Sequence, residues 1–190
     1  MNRGCITALI LVLAVAGCGG TKAFVNPEAD MAYYEVVAIA PLDNLTNDQT
    51  AAASVQRVLR TELWSKGYWK IVSEGDWAQA EAKAREELGV DAAQPLPQEA
   101  VAMIGERLGV QGIFFGSVWE YRMQRVGQDE WPLVALTFEF VDALTGNVVW
   151  DVSITERGGP KFPFFGFGET HTLAELTQKL CEKALGGLSK

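Results

Sequence analysis

The feature that most restricts the fold is a change of hydrophobic period in the second half of the chain. Side chains in residues 113–121 alternate with a period of two, as the side chains of a β-strand do. Residues 133–141 and 148–155 continue in strand-like fashion, and the connections 127–130 and 142–147 contain residues typical of hairpin turns. The sequence therefore predicts three consecutive strands in an antiparallel meander.

The remaining segments predict two further strands and four helices. A continuous apolar run over residues 35–40 indicates a buried strand, and residues 68–72 are expected to form a second, short strand. Four other segments repeat apolar side chains at helical spacing, and they begin near Asp48, Ser73, Pro97 and Thr172. The expected order is β-α-β-α-α-β-β-β-α. It favours an α/β (α+β) sandwich, in which helices pack on a mixed β-sheet.

The amino terminus has the pattern of a targeting signal. Arg3 gives a positive start, and residues 6–16 form an apolar run of 11 residues that ends in small residues before Cys18. This pattern is typical of a signal peptide over residues 1–17, and the run is too short to cross a bilayer as a helix. The stretch resembles a bacterial lipobox, which implies that Cys18 carries the lipid. An ordinary secretory signal whose cleavage falls near a cysteine is the alternative.

Lipidation of Cys18 would set the location of the mature protein. Residues 18–32 are then expected to form the lipidated cysteine and a flexible tether, followed by a single domain over 33–190. Cys181 would remain as a lone thiol, which is expected to pack as a small buried apolar side chain. Because Gly19 follows Cys18, rather than the Asp that retains many lipoproteins at the inner membrane, we expect attachment to the outer membrane, facing the periplasm.

Three segments carry a resemblance to a known family. They are VVAIAPLDNLTND (36–48), LGVQGIFFGSV (108–118) and FEFVDALTGNVVW (138–150). In this order, behind a lipobox, they resemble the CsgG family of envelope lipoproteins. The same fold, which is similar to an anticodon-binding domain, also occurs in the amino-terminal part of TolB and in LpoB-type activators of penicillin-binding proteins. The chain departs from the CsgG channel because it is shorter and lacks inserted pairs of alternating segments that could line a membrane barrel.

The resemblance implies an outer-membrane-anchored, non-enzymatic accessory of envelope assembly or secretion. The alternative is an LpoB-like lipoprotein that activates or binds a peptidoglycan-synthesis enzyme. In both cases we expect contact with the membrane through the lipid and with an envelope protein or further copies of the chain. A net charge of −8 disfavours nucleic acid as a partner.

The sequence offers no recognisable catalytic set. His171 is the single histidine of the chain, and it lies four residues before Glu175 at the start of a predicted helix. A catalytic zinc normally needs three protein ligands, and neither a nucleophile elbow nor a phosphate-binding loop occurs. We therefore expect a non-enzyme without metal, cofactor or small-molecule substrate. A periplasmic hydrolase is the less favoured alternative.

An aromatic segment at 157–169 fits neither the strand nor the helix period. It contains Phe162, Phe164, Phe165 and Phe167 among glycines and prolines. One interpretation is a loop that folds over its own aromatic side chains. The other is an exposed aromatic patch that contacts a partner or a second copy, because contiguous exposed apolar area usually marks an interaction site.

Overall fold

The computed structural model describes residues 21–159 and 169–188. Cys18 and the four phenylalanines Phe162, Phe164, Phe165 and Phe167 lie outside the described residues. The strands are β1 (Thr21–Val25), β2 (Val36–Ile39), β3 (Asp43–Asn44), β4 (Lys70–Ile71), β5 (Gly112–Val126), β6 (Asp129–Asp142) and β7 (Val148–Arg157). The helices are α1 (Ala51–Lys66), α2 (Glu74–Leu88), α3 (Gln98–Leu108) and α4 (Leu173–Leu185).

Side-chain caps fix where two of the helices begin. The Ser73 hydroxyl accepts a hydrogen bond from the Asp76 N–H at the start of α2. The Thr172 hydroxyl accepts one from the Glu175 N–H at the start of α4. Such caps satisfy backbone donors that the first turn leaves free. Helix α2 ends at Gly89, whose φ of 65° is the left-handed conformation that glycine adopts without strain.

The described strands form one mixed sheet in the order β1-β7-β6-β5-β2-β4, with β3 beside β5. Strands β5, β6 and β7 are the antiparallel meander expected from the sequence. Strand β2 runs parallel to β5 on one side and to β4 on the other. The expected fold class, a mixed sheet with helices packed on it, is confirmed.

Helices cover the two faces of the sheet unequally. Helices α1 and α4 close one face over a core in which Phe114 stacks on Phe140 with ring centroids 4.4 Å apart. On the other face, α2 and α3 pack over β2 and over the row formed by Ile113, Val141 and Val148. Beyond this row Trp77 of α2 contacts Phe115, and the rest of the second face has no helix over it within the described residues. Cys181 is fully buried in the first core, as the sequence predicted.

The amino-terminal boundary of the domain differs from the sequence prediction. Residues 21–25, expected to belong to the tether over 18–32, instead form β1, which pairs with β7 along its whole length. Its side chains are all exposed, so backbone hydrogen bonds attach it. The Asn26 N–H also donates to the Val149 carbonyl at 2.8 Å. The sequence TKAFV has no apolar alternation, and an edge strand held through its backbone needs none.

Within the described residues, the helices are too short or too polar to serve as candidate membrane-spanning segments.

Candidate functional site: the open sheet face

The uncovered part of the second sheet face is the candidate functional site. We call it the open sheet face, and it consists of two rows of side chains that run across neighbouring strands. The first row is Phe115, Glu139, Asp151 and Phe24, on β5, β6, β7 and β1 respectively. The second row is Ser117, Thr137, Ser153 and Lys22 on the same four strands. Residues directly opposite in a sheet project from the same face, so each row presents its side chains together.

Two carboxylates lie side by side at the centre of the first row. Glu139 and Asp151 are cross-strand neighbours, and both are partly buried. Burial raises the pKa of each carboxyl above its ordinary value, and the nearby Asp151 raises that of Glu139 further. Within the described residues, neither carboxylate has a cationic or hydrogen-bonding partner. The centre of the open sheet face therefore holds negative charge that the described residues of the domain do not neutralise.

Aromatic side chains flank this charge. Phe24 on the edge strand β1 is 50% exposed, and Phe115 on β5 is partly exposed next to Trp77 of α2. Trp119, at an irregularity in the register between β5 and β6, is 55% exposed. Its indole Nε1–H donates to the Thr137 hydroxyl at 3.1 Å, which ties the ring to the second row. Exposed aromatic surface beside polar groups is characteristic of binding sites rather than of solvated sheet faces.

Helix α2 and the α2–α3 connection lie along one side of the open sheet face and form a wall beside it. The wall and the sheet together border a groove of about 740 Å³. The Glu81 carboxylate accepts hydrogen bonds from Trp77 Nε1 at 2.9 Å and from Arg85 Nε at 2.8 Å. Arg85 also donates to the carbonyls of Asp91 and Gln94 at 2.8 and 2.9 Å, which holds the connection in place.

The charges of this wall are thus already paired. The Asp43 side chain lines the same groove, so it adds to the negative charge of Glu139 rather than offsetting it. Between this wall and the sheet, the groove therefore presents the carboxylates of Asp43 and Glu139, which form no ion pair with the part of the chain that the structure describes.

No cluster of His, Cys, Asp and Glu within residues 21–159 and 169–188 is arranged to hold a metal ion. His171 precedes α4 rather than lying in it; its Nε2 is 3.2 Å from Glu169, and its ring lies 5.2 Å from that of Trp131. Burial raises the pKa of the Cys181 thiol to about 12, so this thiol is not a nucleophile at neutral pH.

The site that the structure offers differs from the residues singled out in the sequence. Those residues, Cys18 and the four phenylalanines of 162–167, lie outside the described part of the chain. The sequence does contain part of the information that locates the open sheet face. Thr137 and Glu139 interrupt the apolar pattern of β6 at every second residue, and Asp151 and Ser153 do the same in β7. That alternation indicates a polar face, but it does not say which residues of different strands become neighbours.

The fold and the open sheet face define a small α+β domain whose mixed sheet is covered by helices on one face and only partly on the other. The chain belongs to the family described as peptidoglycan-synthase activator LpoB, whose model matches residues 21–153, more than half of the chain. Of the relationships that the sequence suggested, the LpoB-type one is confirmed and the CsgG one is not supported. A comparison with curated proteins finds no match.

Solved structures share the fold. The chain is similar to PelC from Paraburkholderia phytofirmans, solved as a dodecamer, with 21% identity and a TM-score of 0.57 over 88% of this chain and 94% of that one. It is similar to lipoprotein GNA1162 from Neisseria meningitidis, with 15% identity and a TM-score of 0.53 over 80% and 99%. For the LpoB C-terminal domain from Escherichia coli the identity is 22% and the TM-score 0.44, over 64% and 82%.

Proposed function

We propose that this protein activates a peptidoglycan synthase from the periplasmic face of the outer membrane, to which a lipid on Cys18 attaches it. Membership of the LpoB family over residues 21–153 is the observation that carries this proposal. The open sheet face supports it, because a non-enzymatic activator needs a surface that its enzyme can contact. The broader expectation of an accessory protein of the cell envelope includes this role, whereas secretion has no support beyond the resemblance to CsgG.

The position of β1 determines how far the domain would reach from the membrane. Thr21 begins β1 three residues after Cys18. Three extended residues span at most about 11 Å. With β1 in the sheet, a lipidated Cys18 would hold the domain against the headgroups, and the synthase would have to approach the outer membrane. Release of residues 21–32 from the domain would lengthen the reach to about 50 Å.

The proposal is tested by reconstitution. The full chain, in mild non-ionic detergent, is added to a purified bifunctional peptidoglycan synthase from the same organism, and the rate of glycan polymerisation from lipid-linked precursor is measured. We expect the rate to rise several-fold and to saturate as the chain is titrated. Heat-unfolded chain serves as the control. An unchanged rate, together with no detectable complex between the two proteins, would contradict the proposal.

Anchoring is tested separately. We expect Cys18→Ser to move the protein from the membrane fraction to the soluble periplasmic fraction and to abolish incorporation of labelled fatty acid. Cys181→Ala is the matched control, since Cys181 is buried in the core and inaccessible to the lipid-transfer machinery. Fatty-acid labelling that persists in Cys18→Ser would place the lipid elsewhere.

A further inference from the structure

The first row of the open sheet face has the pattern aromatic, acid, acid, aromatic. Phe115 pairs with Glu139, Glu139 with Asp151, and Asp151 with Phe24 in the register of consecutive strands. Neighbouring strands are about 4.8 Å apart. The two carboxylates are therefore adjacent, and an aromatic ring bounds them on each side.

This arrangement is unfavourable in the isolated domain. Like charges directly opposite each other on neighbouring strands destabilise a sheet, and partial burial removes part of the water that would screen them. The one basic residue in the two rows, Lys22, lies at the edge of the second row beside Ser153 and forms no ion pair within the described residues. The row therefore lacks a cation.

We propose that the open sheet face binds an arginine side chain of a partner protein, with the guanidinium between Glu139 and Asp151. A guanidinium is planar and carries five donors, so it can bond to two carboxylates at once. It also stacks on aromatic faces, which Phe24 and Phe115 offer at the two ends of the row. An inorganic divalent cation fits less well, because the described residues supply no third carboxylate, imidazole or thiolate ligand here.

The second row extends the contact around the arginine. Ser117, Thr137 and Ser153 place three hydroxyls next to the carboxylates, and each hydroxyl can donate or accept. The exposed Trp119 borders these hydroxyls. A guanidinium bound to the two carboxylates would lie among small polar groups and be bordered by aromatic rings. This arrangement resembles the centre of a protein interface, where Arg and aromatic side chains contribute most of the binding energy. The identity of the partner, a peptidoglycan synthase, rests on the proposed function; the arginine pocket itself does not.

The test uses a peptide probe that needs no knowledge of the partner. A short peptide with blocked ends and one central arginine is titrated into the full chain in non-ionic detergent, and proton–nitrogen correlation NMR spectra are recorded. We expect saturable shifts confined to the strands around Glu139 and Asp151. The same peptide with citrulline, a neutral isostere of arginine, is expected to give no such shifts. A peptide with lysine is expected to bind more weakly than the arginine peptide.

The double variant Glu139→Gln/Asp151→Asn removes the charges without changing side-chain shape. We expect it to bind the arginine peptide roughly five- to thirtyfold more weakly. The matched control is Glu106→Gln/Glu182→Gln, which removes the same number of charges from exposed helix positions and should bind as the original chain does. Shifts absent from the open sheet face, equal binding of citrulline, or unchanged binding by the double variant would each overturn the proposal.

The reconstituted synthase separates this inference from the proposed function. Charge-dependent peptide binding without any stimulation of the synthase would support the arginine pocket and contradict the activator role. Stimulation of the synthase without charge-dependent peptide binding would support the activator role and contradict the arginine pocket. If both hold, the double variant should lose stimulation and the control double variant should keep it.

Discussion

At the scale of single residues, Glu139 and Asp151 oppose the stability of the domain. We expect Glu139→Gln or Asp151→Asn to raise the free energy of unfolding at pH 7 by about 0.2–1 kcal/mol, because either change removes the like-charge contact. Urea unfolding followed by tryptophan fluorescence measures this, and Glu182→Gln, a change at an exposed position of α4, is the control. A loss of stability in both variants would show that each carboxylate has a stabilising partner.

The same pair gives stability a pH dependence with a definite sign. A carboxyl whose pKa is raised in the folded state binds its proton more tightly there than in the unfolded chain. Its contribution is therefore fully present below the unfolded pKa, ordinarily 4.5 for Glu139 and 3.8 for Asp151, and is lost as the pH rises through the folded pKa. We expect the stability difference between the double variant and the original chain to grow as the pH rises through this window. A difference independent of pH would be inconsistent with raised pKa values.

Arg85 is a third residue whose contacts make a prediction. Its guanidinium holds Glu81 and the carbonyls of Asp91 and Gln94, and its side chain is largely buried. We expect Arg85→Ala to lower the free energy of unfolding by about 1–3 kcal/mol, since it leaves polar groups unpaired. It should also make the α2–α3 connection more sensitive to limited proteolysis. Arg57→Ala, at an exposed position of α1, should change neither property.

At the scale of elements, β1 differs from the strands it extends. Its five residues are exposed, and it pairs on one side only, whereas β6 lies between two long strands. Opening free energy is lowest where few side chains are buried. We expect the β1 amides to exchange with deuterium far faster than those of β6, as measured by hydrogen-exchange mass spectrometry. Protection of β1 equal to that of β6 would mean that residues 21–25 stay in the sheet and that the short distance to Cys18 is permanent.

Elements with a local signal were predictable from the sequence, and elements without one were not. Ser73 and Thr172 predict the starts of α2 and α4, because a capping side chain bonds to the backbone within the first turn of its own helix. The meander was predictable because turn residues join strands that are consecutive in the chain. Strand β1 joins β7 across more than a hundred residues through backbone hydrogen bonds alone, and β3 is two residues long. Neither leaves a pattern in the side chains.

At the scale of the whole molecule, the open sheet face exists because register brings distant residues together. Glu139 meets Asp151 only when β6 and β7 pair with the observed register, which shifts between Phe140 and Val141. Phe24 joins the row only because β1 docks on β7. A slip by one residue would turn these side chains toward the opposite face. The alternation within β6 predicted a polar face, but its composition depends on three pairings that no single segment encodes.

The net charge of the chain adds a long-range electrostatic attraction to the local contacts that the open sheet face makes with a basic partner. With a net charge of −8, the chain attracts a basic surface over distances that salt shortens to about 8 Å at physiological ionic strength. We expect the association rate with a basic partner to fall steeply between low and physiological salt, as measured by stopped-flow fluorescence. The two double variants lose equal charge, so both should show a shallower salt dependence of association. If the guanidinium contact is local, only Glu139→Gln/Asp151→Asn should also dissociate faster, because a partly buried contact controls the dissociation rate. Equal dissociation rates for the two variants would assign the attraction to net charge alone.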